Sequence, residues 1–189
     1  MKLKLVIFIL GFGLLFSCDR KTEYEKVKQR EIESGKISED IFLGIHFGMP
    51  RKEFFRVCWE MNKEGILMNG AHALRVQYKP ELPSGEMSYM YFYPKFEQEK
   101  IFYMQAEFQY ADWFPTNPKF SAENLVDDVV AYFEGIYGAG FFRVEDSEGT
   151  FAMVKIDGNR LVRVYVKNRS AVSVDILDLR VKDIKDIAS

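Results

Sequence analysis

Residues 101–110 alternate between apolar and polar more cleanly than any other stretch of the chain. Phe102, Met104, Ala106, Phe108 and Tyr110 fall on one side, and Tyr103, Gln105, Glu107 and Gln109 on the other. A period of two puts successive side chains on opposite faces of a pleated strand. One wet face marks an antiparallel sheet rather than a parallel one, which is covered on both sides. The chain is therefore expected to build an antiparallel sheet around this strand.

The neighbouring segments extend that expectation. Before it, Ala73 to Lys79 alternates and Met87 to Tyr93 is aromatic on both faces; Glu97 to Lys100 is a charged turn. After it, strands are expected at Phe141 to Glu145, Phe151 to Ile156, Leu161 to Lys167 and Ala171 to Leu177, with Asp157-Gly158-Asn159 as a hairpin turn. Val162, Val164 and Val166 should share a core with Val172, Val174 and Ile176. Ile41 to Phe47 is a further short apolar strand candidate, followed by a turn at Gly48-Met49.

Two segments have helical spacing instead. Pro50 sits where a first helical position belongs, since its missing N–H would have no intrahelical partner there. Phe54, Val57, Cys58 and Met61 then recur at steps of three and four. Ser121 is a good N-cap, with Glu123, Asp127 and Asp128 near the positive end of the helix dipole. Leu125, Val129, Phe133, Ile136 and Tyr137 form its apolar stripe, and Gly138 is its stop. The order is helix then three strands, then helix then about four. Strands in runs behind single helices argue an α+β fold: one curved antiparallel sheet with both helices on one face.

The first seventeen residues do not belong to that domain. Lys2 and Lys4 precede an apolar run from Leu5 to Phe16, interrupted only by Gly11 and Gly13. A bilayer-spanning helix needs about 20 apolar residues, so this shorter run reads as a cleaved signal peptide. Leu15-Phe16-Ser17-Cys18 resembles the lipobox of bacterial lipoproteins, with Leu at −3, a small residue at −1 and Cys at +1; Phe16 departs from the usual small or β-branched residue. The resemblance implies cleavage before Cys18, acylation of its thiol with diacylglycerol, often a palmitate-type acyl group on the new amine, and residence in the bacterial cell envelope. The outer membrane is favoured over the inner. Asp19 is compatible with inner-membrane retention in one sorting system and with surface export in another. One acyl chain anchors only marginally, whereas two or three anchor stably.

Residues 18–40 are dominated by charge, with Tyr24, Val27, Ile32 and Ile37 as the apolar exceptions. Such composition buries too little surface to offset ordering entropy. It is expected to be a tether with room for a transient helix from Glu23 to Glu33. As a coil, ~20 residues would span roughly 25 Å. The domain organisation is thus signal peptide 1–17, lipidated Cys18 and tether 18–40, and an α+β domain 41–189. The domain's ~150 residues suffice for one core.

A second resemblance covers Phe47-Gly48-Met49-Pro50-Arg51-Lys52-Glu53-Phe54-Phe55. It is similar to the first-helix start in small outer-membrane lipoproteins of the SmpA/OmlA type, with Pro50 in place of their capping Thr. The tandem helix-and-strands order is also similar to β-lactamase inhibitor proteins. The resemblances imply an α+β domain, with helices against a three-stranded sheet in the first family and two such units presenting a concave sheet in the second.

The formal net charge is −2, and loss of Lys2 and Lys4 with the signal takes it to −4. A mildly acidic, mixed surface gives no electrostatic case for nucleic acid. With Cys18 acylated, Cys58 has no disulfide partner; on an apolar stripe it is expected to be an inert thiol. His46 and His72 are the only histidines, too few for a structural metal site, so neither metal nor cofactor is expected. Gly135 to Gly140 is glycine-rich but ends a helix, and so cannot cradle a phosphate at a helix start. With no placed nucleophile, base or ligand cluster, a non-enzymatic binding or assembly role is expected.

The aromatic excess is the remaining signal, at 15% of the chain. Tyr89, Tyr91 and Tyr93 line one face of their strand, Tyr103 lies opposite the apolar face of its own, and Trp113 sits at a loop edge. Tyrosine and tryptophan suit interfaces because they combine apolar area with a polar tip. Two readings stand open. Either this face makes contact, with an envelope protein or with a small molecule or glycan, or the tether or the charged C-terminal tail, Arg180 to Ser189, covers it.

Overall fold

The computed structural model describes residues 22–70, 75–145, 149–183 and 186. The signal peptide, Cys18 and His72 lie outside them. In chain order the elements are helix α1 (Glu23–Glu33), strands β1 (Asp40–Phe42) and β2 (Ile45–His46), and helix α2 (Arg51–Lys63). Strands β3 (Leu67–Asn69), β4 (Val76–Tyr78), β5 (Ser88–Glu97) and β6 (Lys100–Tyr110) follow. Helix α3 (Ala122–Tyr137) then leads into β7 (Phe142–Glu145), β8 (Phe151–Asp157), β9 (Arg160–Asn168) and β10 (Ala171–Asp178). β1 and β2 pair with each other, and the remaining strands form one antiparallel sheet ordered β3-β4-β5-β6-β10-β9-β8-β7. The fold is α+β. Each helix-then-strands unit ends on the strand that pairs with the other unit, so β6 against β10 is the seam. β3 was not foreseen; it brings the first unit to the same four strands as the second.

The alternation in β6 holds from Tyr103 to Tyr110 and breaks below it. Lys95 pairs with Tyr103 and Phe96 with Ile101, which leaves Phe102 as the extra residue of a bulge. Ile101 takes the helix-facing place, while Phe102 and Tyr103 both pack on the opposite face. The expected grouping of Phe102 with Met104 is corrected by this bulge, because one inserted residue reverses the phase of everything before it.

The main core lies between the sheet and helices α2 and α3. Leu125, Val126, Val129 and Phe133 of α3 are buried against Phe108, Val162, Val164, Val172 and Val174 of the central strands. Each such side chain contributes roughly 1.5–3 kcal/mol by leaving water. Ser121 caps α3 through the Asn124 amide, as its sequence position predicts. α2 lies towards the β3 edge and buries only Phe54 fully; Val57, Cys58 and Met61 are half-buried.

α1 forms inside the segment expected as a tether, with the bounds foreseen for a helix there. Thr22 and Glu25 form a reciprocal capping box at its start. Tyr24 and Val27 pack on the second face of the sheet, against a smaller cluster that includes Val154, Ile156, Leu161 and Leu177. The segment after α1 is also held: Lys36 pairs with Asp157, and the Ser38 amide donates to Asn159 Oδ1 at 2.7 Å. Composition missed this because a few apolar contacts and a cap suffice to fix a helix that lands on a preformed sheet.

The strand directions give the sheet two ends. One carries Tyr110, Ser88, Ala171 and Phe151, and the other carries Lys100, Glu97, Asp178 and Asp157. α1 runs along β8, with its C-terminal half at the Asp157 hairpin and Tyr24 towards the Tyr110 end.

Candidate binding surface

The second face of the sheet, opposite α2 and α3, is divided. α1 covers the apolar portion on β8 and β9. The rest is a polar and aromatic field crossed by one register row, Gln77–Tyr91–Glu107–Ser173–Tyr165. Glu107 sits at its centre, paired with Arg75 at 3.1 Å and with Lys167 at 2.5 Å. Burial pushes the Glu107 carboxyl up, but the bonds from Lys167 and Arg75 outweigh it and hold the acid below its ordinary range.

The tyrosines expected to form one contact strip are distributed differently. Tyr89 and Tyr91 do lie on this face, half-exposed, with ring centroids 6.3 Å apart. Tyr103 does not offer a surface. It is 2% exposed, and its hydroxyl donates to Asp175, which also receives Arg163 at 2.5 Å. An aromatic ring so placed is part of the fold, because its polar tip has an internal acceptor. Tyr93 turns onto the sheet edge, where its ring meets Phe54 of α2 edge-on at 6.0 Å. Trp113 sits beyond the Tyr110 end of β6, half-buried against the main core, and donates its indole N–H to the Arg169 carbonyl oxygen at 3.2 Å.

Around the β4 edge the field continues into a groove. β4 pairs with β5 only from Met90 to Phe92, so β5 beyond Phe92 has no β4 partner. α2 lies alongside that stretch. The space between α2, β3 and the edge of β4 is an open groove of about 560 Å³. Phe55, Trp59 and Tyr93 give it aromatic walls, and Asn62, Asn69 and Arg75 give it polar ones. Phe55 is 47% exposed and Trp59 60% exposed. Tyr93 and Arg75 line both the groove and the adjoining field, so the two form one surface.

The sequence carried a sign of the groove that the apolar stripe concealed. Phe55 and Trp59 are four apart and fall outside the Phe54, Val57, Cys58 and Met61 stripe, so a helix must present both away from its core. Cys58 lies on the groove wall, where burial pushes its thiol up to about 11. His46 places Nδ1 2.9 Å from the Phe47 carbonyl oxygen. Among the described residues no three of His, Cys, Asp and Glu gather as a metal site would require.

Compared with known proteins, the chain matches no family model, no curated protein and no solved structure.

Proposed function

We propose that the mature chain is a lipid-anchored lipoprotein of the bacterial cell envelope, in the outer rather than the inner membrane. It acts without catalysis, by holding a partner protein of the envelope in the groove between α2 and the β3–β4 edge. One observation carries the binding part of this reading: Phe55, Trp59 and Tyr93 converge on an open groove, and among the described residues Phe55 and Trp59 stay about half exposed, with only the Lys63 ammonium over the Trp59 ring. Grouped exposed aromatics mark contact sites more often than isolated ones. An open trough suits a protruding segment of a protein better than a small ligand, which calls for a closed pocket. The anchoring part rests on Leu15-Phe16-Ser17-Cys18 and the short apolar run before it.

The test is a photo-crosslinking amino acid at position 59 in the native envelope, read by mass spectrometry, with position 136 on exposed α3 surface as the control. A discrete protein adduct at 59, weakened by Phe55→Ala with an unchanged thermal melt, is the expected result. Equal labelling from both positions would remove the groove from consideration. The second reading, a glycan ligand, draws on the amides of Asn62 and Asn69 beside the aromatic walls. It predicts no protein adduct, but a shift of Trp59 emission when soluble envelope glycan fragments are added.

A further inference from the structure

We infer that the Tyr110 end of the sheet rests on the lipid bilayer, with the loop after β6 inserted at its interface, so that the groove between α2 and β3 is held at the opposite edge of the sheet from the anchor helix. This rests on the lipoprotein reading, and deepens it by fixing which part of the domain meets lipid.

The first observation is the length of chain between anchor and fold. Cys18 and the helix cap Thr22 are four residues apart. Fully extended, that is at most roughly 14 Å. A docked α1 therefore removes the stand-off that a flexible tether would give, and the bilayer lies close to the start of α1. That start lies at the Tyr110 end, because Tyr24 shares a notch with Thr150, Phe151, Val144 and Tyr165.

The second observation is independent. The same end carries exposed apolar side chains. Phe114 is 63% exposed and Met87 65% exposed. The Ala111 amide donates to the Met87 carbonyl oxygen, so Met87 lies beside the start of the loop that carries Phe114. Trp113 precedes Phe114 in the loop, half-buried against the main core and bonded to the carbonyl of the exposed Arg169. β6 and β8 are three strand steps apart, about 14 Å. The loop and the start of α1 can thus touch one flat surface together. Tryptophan and phenylalanine at the tip of a loop have the chemistry of the membrane interface: apolar area with a polar edge.

Charge at this end has an acidic excess: Lys119 and Arg169 stand against Glu86, Asp112, Glu123, Asp127 and Asp128. Contact with lipid is therefore apolar in origin, and neither high salt nor neutral lipid should weaken it.

The experiment uses the processed, acylated full chain in phosphatidylethanolamine–phosphatidylglycerol vesicles with brominated acyl chains. Trp59→Phe leaves Trp113 as the sole tryptophan, and Trp113→Phe leaves Trp59. Trp113 should be quenched several-fold more than Trp59, and neither high salt nor neutral phosphatidylcholine vesicles should reduce that quenching. Phe114→Glu should reduce that quenching while the protein stays anchored. Equal quenching of the two, with acyl groups present on Cys18, overturns the orientation and leaves the anchoring reading intact. A mature chain with no acyl group on Cys18 by mass spectrometry overturns both.

Discussion

Tyr103 shows how far a single residue can be read. Its place opposite Met104 was legible from the alternation of β6. Its partner was not, because Asp175 lies 72 positions away and only the β6–β10 seam brings them together. Asp175 is buried and serves both Tyr103 and Arg163. Burial and the adjoining Asp175 carboxylate push the Tyr103 hydroxyl well above its ordinary value. The two partners are therefore unequal in what their removal costs. Tyr103→Phe deletes one hydrogen bond while leaving Asp175 paired with Arg163, for about 1 kcal/mol. Asp175→Ala leaves a buried hydroxyl without its acceptor and a guanidinium without its anion, for about 3 kcal/mol. Urea unfolding of the two variants checks the order. Tyr103→Phe should also leave partner capture untouched. If it weakened capture at unchanged stability, Tyr103 would belong to the contact surface after all.

Among the elements, long ones with one clear period were legible: α2, α3, β6, β9 and β10 lie where their patterns put them. Elements whose existence depends on a distant surface were not. β3 is three residues long and owes its pairing to β4. α1 has the bounds that its charged sequence suggests for a transient helix, yet the sheet holds it. The strongest local sign of that docking is Gly158. It has φ +58°, and a Cβ there would run into the Lys36 backbone carbonyl. The Gly158 amide meanwhile donates to Glu31 at 3.3 Å. Glycine is needed here for close backbone approach as well as for its turn. Gly158→Ala should therefore push residues 34–39 off the β8–β9 hairpin and loosen α1, with β5 and β6 unaffected. Hydrogen exchange checks this directly: α1 amides should approach coil rates while those of the central strands keep their protection. Unchanged protection of α1 would mean that its contacts through Tyr24 and Val27 hold it without the hairpin.

For the molecule as a whole, the aromatic excess leaves contact surface and internal cover both open in the sequence, and Tyr24, Tyr103, Tyr110, Tyr132 and Tyr137 are internal construction. Tyr110 donates to Asp128 at 2.6 Å, joining the end of β6 to α3. Tyr137 reaches from the end of α3 to the Ile41 carbonyl oxygen, with the Arg160 guanidinium 3.8 Å from its ring centroid. Tyr24 fixes α1 on the second face, and Tyr132 packs edge-on against Phe108. The ring of each fills apolar space, and at Tyr110 and Tyr137 the hydroxyl also ties separate elements together. Composition cannot distinguish this use from an interface, since both draw on the same amphipathic side chain. The outcome has a pH signature. Burial pushes the hydroxyls of Tyr24 and Tyr132 from 10.0 up to about 12. Those of Tyr103, Tyr110 and Tyr137 are raised further, by burial first, with Asp175 and Asp128 adding to it at the first two. A group whose folded value is raised binds its proton more tightly in the folded state. Its contribution is complete below the unfolded value and disappears as pH climbs towards the folded one. Stability should accordingly hold up to pH 10 and fall through pH 12, the interval set by Tyr24 and Tyr132. Urea midpoints measured across that interval should decline, and much of the tyrosinate absorbance should appear only together with loss of the sheet's circular dichroism. A smooth titration of all the tyrosines near pH 10, their ordinary value, with the fold intact would show that these hydroxyls are open to water and that the aromatic side chains are surface after all.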